Sequence, residues 1–312
     1  MSVLRWTTGR FEERRLGTPR LDAEVLIAAA LGLPRLQLYV QFDRPLAAGE
    51  LAKIREAVQR RQAGESVAYI VGKKEFFGLD FAVDARVLVP RPDTETLVDE
   101  ALGRLRPRRP EPPEVAAGAG TDDSAAPESV EAAPVIAPAV TDVAPPRRIA
   151  DVGTGSGAII LALGKQLAGA ALYAVDVSED ALAVARANAA HHGLTVTFLQ
   201  GDLGAPLAPF APFDLLTANL PYVPTGELAG LAPEVRAEPR LALDGGPDGL
   251  ALVRRLVQQT PALLASGGAL VLEIGAGQAA ATAALCRAAG FVDVQLRRDL
   301  GAIDRVVSGV KP

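Results

Sequence analysis

From residue 148 onward, short apolar runs alternate with amphipathic ones, and this alternation limits the possible folds more than any other property of the chain. Period-two or continuous apolar runs predict strands over 148–152, 171–177, 195–199, 213–218 and 269–274, and helical spacing predicts helices over 158–167, 179–190, 250–265 and 278–289. Strands that take turns with helices specify an α/β fold around a parallel sheet. Two more strands, over 292–297 and 305–310, are joined only by 298–304. A parallel return needs a crossover of about a dozen residues, so these two must pair antiparallel. The expected core is therefore a doubly wound sheet of seven strands whose last strand is reversed.

Upstream of that sheet, residues 107–147 hold nine of the 24 prolines and ten alanines, with almost no large apolar groups. Such a stretch cannot bury enough surface to offset its ordering entropy, and it reads as a flexible linker. Before it, Leu21, Val25, Leu26, Ala29 and Ala30 recur at helical spacing, as do Leu51, Ile54, Ala57 and Val58. Residues 1–72 are thus expected to form a small helical domain. Residues 68–72 and 74–83, aromatic and β-branched around glycines, read as a β-hairpin, and 73–106 as that hairpin and a connecting helix, leaving 148–312 as the α/β domain.

The overall balance narrows the function classes. With 49% apolar and 22% charged residues among 312, the chain reads as globular, and a net charge of −5 disfavours binding nucleic acid by charge alone. Charges at Arg10, Glu12, Glu13, Arg14 and Arg15 occupy the place of a signal peptide's apolar run, and no window approaches the roughly 20 apolar residues of a membrane span. A cytoplasmic protein without a membrane partner is expected. Cys286 lies in an apolar helical pattern and reads as a buried thiol. His191 and His192 are adjacent at a helix end, which suits a solvated terminus better than a metal site, and no metal is expected.

Three loops at the carboxyl ends of successive strands point to one ligand crevice. Asp151-Val152-Gly153-Thr154-Gly155-Ser156-Gly157 follows a strand and opens a helix, with glycines that allow positive φ and close approach of a ligand. Asp176 ends the next strand, where a carboxylate can accept both ribose hydroxyls. Asp202 and Leu203 follow the third, placed to receive an adenine amino group and to cover its ring. A nicotinamide dinucleotide competes for the same crevice. S-adenosylmethionine, which has no pyrophosphate to cradle, suits this loop better, and no residue supplies an evident hydride-transfer acid or base.

The fourth strand ends in Asn219-Leu220-Pro221-Tyr222. An amide nitrogen is a poor nucleophile because its lone pair is delocalised. The Asn219 side-chain oxygen and the Leu220 carbonyl can each accept one N–H of such an amide and turn its lone pair toward a methyl donor. At position 220 the working part is then the carbonyl rather than the side chain. Pro221 restricts both its own φ and the conformation of Leu220, and Tyr222 can wall in the planar group.

In these features, together with 89–95 (Val-Pro-Arg-Pro-Asp-Thr-Glu) and 238–250 (Glu-Pro-Arg-Leu-Ala-Leu-Asp-Gly-Gly-Pro-Asp-Gly-Leu), the chain resembles the bacterial release-factor glutamine N5-methyltransferases over nearly its whole length outside the linker. That resemblance implies a Rossmann-like class I methyltransferase sheet and S-adenosylmethionine as cofactor. It also implies the glutamine of the Gly-Gly-Gln motif in class I peptide chain release factors as target, with the helical domain docking that protein. The family motif is usually Asn-Pro-Pro-Tyr, and Leu220 departs from it at a position whose implied role belongs to the backbone. A glutamine methyltransferase acting on a ribosomal protein and a DNA adenine N6-methyltransferase share the Asn-x-Pro-Tyr device and stand as alternatives. Asp93, Glu95, Glu234 and Glu238 are candidates to line the substrate cleft without a catalytic role.

Overall fold

The computed structural model describes residues 2–105 and 147–312. The stretch expected to be a linker therefore lies outside the described residues, Arg147 excepted. The chain opens with five helices: α1 (Ser2–Glu13), α2 (Pro19–Leu31), α3 (Gln37–Val40), α4 (Ala48–Gln62) and α5 (Val67–Val71). Their core is built from Phe11, Ala23, Leu26, Ile27, Ile54 and Val58. α2 begins with proline in its first turn and stops at Gly32, whose φ of 64° closes the helix in the left-handed conformation.

The inward face of α2 differs from the expected stripe: Leu21 is 43% exposed, whereas Ala23 and Ile27 are buried. Asp22 and Glu24 are buried on the same helix, held by Arg61 and by Arg20 with Tyr39 respectively. Polar groups satisfied in the interior displace the apolar pattern that periodicity follows.

A second correction concerns 68–72, which forms most of α5 and its Gly72 cap rather than part of a hairpin. The Ser66 hydroxyl caps this short helix by accepting the Tyr69 amide, and Gly72 ends it at φ 77°. Its β-branched residues are apolar enough for either element, and the cap and the glycine decide between them. The hairpin proper is β1 (Lys73–Phe76) with β2 (Leu79–Ala82), which is followed by α6 (Glu95–Leu105). Phe76 and Phe81 bury themselves beneath it.

The remaining elements are β3 (Arg148–Val152), α7 (Ala158–Gln166), β4 (Ala171–Asp176), α8 (Glu179–His192), β5 (Val196–Gln200), β6 (Phe213–Ala218), α9 (Pro233–Arg236), α10 (Ala251–Leu263), β7 (Leu264–Glu273), α11 (Ala279–Ala288), β8 (Val292–Arg298) and β9 (Asp304–Val310). The seven-stranded sheet runs β5-β4-β3-β6-β7-β9-β8. β3 to β7 are parallel to one another, while β9 is antiparallel to both β7 and β8. The reversed last strand and the antiparallel final pair are as the sequence requires. α6, α7 and α8 contribute to the core on one face of the sheet, and α10 and α11 to the core on the other.

Strand order reverses at β3, with β4 on one side and β6 on the other. At such a switch point, loops leaving the carboxyl ends diverge and open a crevice. Because Val152 pairs with Ala218, the glycine loop after β3 and the loop that starts at Asn219 leave the sheet side by side.

Candidate active site

A cavity of about 270 Å³ occupies that switch point. Gly153, Thr154, Gly155, Ser156, Asp176, Asp202, Leu203, Asn219, Leu220 and Pro221 line it, which brings together most of the residues expected from sequence. The backbone is shaped to the task. Gly153 has φ of 73°, and a Cβ there would lie 3.0 Å from Leu220 Cδ2. The Leu220 side chain is buried. It therefore fills the space beside the glycine loop, a role additional to the one expected of its carbonyl.

The Asp176 carboxylate accepts the Gly155 amide at 2.9 Å on one oxygen and the Ser178 amide at 3.0 Å on the other. Burial pushes its carboxyl up, and these amides oppose the shift. Each oxygen keeps a lone pair for a ligand hydroxyl. Val177, 51% exposed on the cavity wall, offers an apolar surface that sequence reading did not single out.

Three expected residues stand apart. Asp151 is fully buried under the loop, where the Thr217 hydroxyl donates to its Oδ1 at 2.8 Å while Oδ2 has no hydrogen-bond partner. Burial pushes its carboxyl up to about 7, opposed by the neighbouring Thr154 and Thr217 hydroxyls. Gly157, with φ of 82°, faces α8, where a Cβ would come within 3.3 Å of Ala185 Cβ. It is the glycine of close helix packing. Tyr222 is outside the cavity lining; its hydroxyl donates toward Glu273 Oε1 at 3.4 Å. Asp202 lines the cavity, but its carboxylate also pairs with Arg255.

Asn219 projects into the cavity, and its Nδ2 donates to Thr94 Oγ1 at 3.2 Å. The amide's hydrogen-bonding sense then leaves Oδ1 as an acceptor at the cavity wall. The loop behind it is held tightly. Gln278 Nε2 donates to the Tyr222 carbonyl at 3.0 Å, and a Cβ at Gly249 would lie 2.2 Å from that same oxygen. Only glycine allows 244–249 to pack this closely beneath the tetrapeptide, which accounts for the glycine-rich end of the 238–250 run.

A roof over the cavity comes from two distant segments, one carrying Pro90, Arg91 and Thr94, the other Pro239, Leu241 and Ala242. The buried Glu238 accepts from Arg91 Nη2 at 2.6 Å and joins them. Burial raises the Glu238 carboxyl and Arg91 opposes the shift. The other cleft candidates are also structurally engaged: Glu95 accepts the Phe77 amide, Glu234 pairs with Arg61 and Asp93 with Arg305. Asn188, 1% exposed, bonds Ala82 and the Ser156 carbonyl, tying the hairpin to the glycine loop. His192 Nε2 lies 2.8 Å from the Asp80 carbonyl on the hairpin, while His191 is exposed at the helix end. Cys286 is buried, as expected, which pushes its thiol up to about 11.

The PrmC N-terminal domain family matches residues 2–72, and the Methyltransferase domain family matches 149–237. The release factor glutamine methyltransferase of Geobacter sulfurreducens is 42% identical over 98% of this chain and 95% of its own length. That of Chlorobaculum tepidum is 40% identical over 99% of this chain and 96% of its own. The chain belongs to the release factor glutamine methyltransferase family. Among solved structures, the hMettl16 catalytic domain matches with a TM-score of 0.51 over 84% of this chain and 81% of that one, at 14% identity, which shows the shared fold alone. Members of this family are methyltransferases, and the sheet with its reversed last strand is the class I methyltransferase fold. Among the described residues no helix is long and apolar enough to cross a membrane.

Proposed function

We propose that the chain uses S-adenosylmethionine to methylate the side-chain nitrogen of the glutamine in the Gly-Gly-Gln motif of a class I peptide chain release factor, in the cytoplasm. The residues fit that cofactor. Gly153 and Gly155 turn at positive φ where the loop lines the cavity, and Thr154 Oγ1 is buried there without a hydrogen-bond partner. Asp176 keeps acceptor capacity for ribose hydroxyls, and Val177, Leu203 and Leu241 give apolar walls for a base. When bound, the cofactor supplies an electrophilic methyl group on a sulfonium.

The protein's part is to orient the amide. Asn219 Oδ1 and the Leu220 carbonyl accept one N–H each and aim the nitrogen's lone pair at the methyl, a gain from proximity and orientation. Pro221 holds the carbonyl's direction. Transfer would form an N–C bond as the methyl–sulfur bond breaks with its electrons going to sulfur, and the nitrogen would give up one proton to solvent. The roof, closed by Arg91 and Glu238, excludes water. The helical domain of residues 1–72 docks the release factor, and neither nucleic acid nor membrane takes part.

The observation that carries this reading is the Asn219 amide, whose Nδ2 is committed to Thr94 while its oxygen is left toward the cavity. The target follows from the family to which the chain belongs. Mass spectrometry of a release factor incubated with protein and cofactor should show one added methyl on the Gly-Gly-Gln peptide. An unmodified peptide, with the methyl appearing on a ribosomal protein or on DNA instead, overturns the assignment. Asn219→Ala should lower the rate at least 100-fold and leave the cofactor Kd within about threefold, the pattern of a lost transition-state contact.

A further inference from the structure

The carboxyl end of β7 carries an acidic side chain with no role in the site as described so far. β6 and β7 run parallel with Ala218 paired to Leu272, so Asn219 and Glu273 take the next positions side by side at the catalytic edge. Glu273 is 2% exposed. Its Oε1 faces the Tyr222 hydroxyl at 3.4 Å, and its Oε2 has no hydrogen-bond partner. Burial pushes its carboxyl up to about 7; the Thr94 side chain, the charge of Arg305 and the Asn219 side chain pull the other way, and Asp93 adds to the rise. A buried carboxylate with an unmatched oxygen costs free energy that an apolar residue would not. Its neighbours indicate what it does.

We propose that Glu273 is a positioning residue which, through Thr94, fixes the direction in which the Asn219 side-chain amide points. The proposal rests on Asn219 holding the substrate amide as set out above. Above about pH 7 the Glu273 carboxyl is ionised, and a carboxylate only accepts hydrogen bonds. The Thr94 and Asn219 side chains both act on this carboxylate; with the Thr94 hydrogen turned to it, the Thr94 oxygen is left to accept. It accepts from Asn219 Nδ2 at 3.2 Å. The Asn219 oxygen is then the only end of that amide available to the substrate, and it meets an N–H donor. An amide at position 273 removes this polarity, because glutamine both donates and accepts. The Thr94 hydroxyl can then reverse and the Asn219 amide can rotate by half a turn, which sets donor against donor at the reacting nitrogen. An anionic acceptor at the end of this short chain thus selects one of two orientations that are otherwise close in energy.

The test is steady-state kinetics at a pH well above 7, where Glu273 is ionised, on a Gly-Gly-Gln-containing release factor with wild type, Glu273→Gln, Thr94→Val and the double variant, each checked for an intact melting transition. Glu273→Gln is isosteric and removes a buried charge. It should lower kcat roughly 10- to 100-fold while the KM for the release factor and the Kd for S-adenosylmethionine each stay within about threefold. Thr94→Val should lower kcat by a similar factor. The double variant should be no more than about threefold slower than either single one, because both break the same chain. A Glu273→Gln protein with kcat within twofold of wild type overturns the proposal, as does a double variant in which the two factors multiply. Should Glu273→Gln not fold, Thr94→Val alone decides by the same split between kcat and KM. A wild-type protein that leaves the release factor unmodified overturns the functional reading and this proposal together, whereas an active wild type with an unaffected Glu273→Gln overturns only the proposal.

Discussion

Gly153 turns at φ 73° with Leu220 Cδ2 3.0 Å from where a Cβ would sit. An L-residue pays about 1–2 kcal/mol for that conformation before any contact is counted. Gly153→Ala should therefore weaken binding of S-adenosylhomocysteine about tenfold or more by titration calorimetry; unchanged affinity would mean that the loop does not face the ligand. Asp151 gives a prediction in pH. Its carboxyl moves from the ordinary 3.8 to about 7 on folding because of burial. Between those values the folded state holds a proton that the unfolded chain releases, so this residue's contribution is full below about pH 4 and is lost as pH rises through about 7. Asp151→Asn should raise the melting temperature at pH 8 by more than it changes it at pH 4, and equal changes at both pH values would contradict the shift. Single residues were legible in sequence when a motif announced them. Gly153, Asp176 and Asn219 were found by spacing, and all three line the cavity. Glu273 was passed over because it reads as the polar end of an apolar strand, and only the β6–β7 register brings it beside Asn219.

Elements show what local pattern decides and what packing overrides. Most strands and helices after residue 148 were legible almost to their ends, since alternation and period leave little choice, but β7 begins at Leu264 rather than 269 and takes the last two residues expected of the preceding helix. The 68–72 run was not, because four apolar residues fit a strand or a helical turn, and the choice fell to Ser66 and Gly72 at its boundaries. α9 was missed altogether: four residues carry no periodicity, and the helix is pinned from outside. Arg61 on α4 donates Nε to Asp22 at 2.8 Å and reaches Glu234 on α9 with Nη1 at 2.7 Å. Removing one partner of a buried pair strands the other, at a cost of about 3–5 kcal/mol. The Asp22 side chain is 8% exposed and would retain only the Thr18 hydroxyl at 2.7 Å. Arg61→Met should lower stability by that amount in urea unfolding followed by far-ultraviolet circular dichroism, and a loss below about 1 kcal/mol would show that the pair is not closed off from solvent.

At the scale of the whole molecule there are separate cores, one among the N-terminal helices and one on each face of the sheet. Unfolding of such a chain departs from two-state behaviour. Calorimetry should resolve two transitions, of which saturating S-adenosylhomocysteine raises only the larger, by about 2.7 kcal/mol at a hundred times its Kd. Arg61→Met should lower the smaller. One transition that ligand shifts as a unit would show that the helices and the sheet melt together. The course of the chain through α6 and β3 has a practical consequence. α6 begins beside Thr94 at the catalytic edge and ends at Leu105, and β3 enters the sheet at Arg148, the edge opposite Asn219. Leu105 and Arg147, the described residues on either side of 106–146, therefore lie at the end of the sheet away from Asn219. For an engineer, an affinity handle or a fluorescent reporter anchored at either of these two residues starts from the side of the sheet opposite the chemistry.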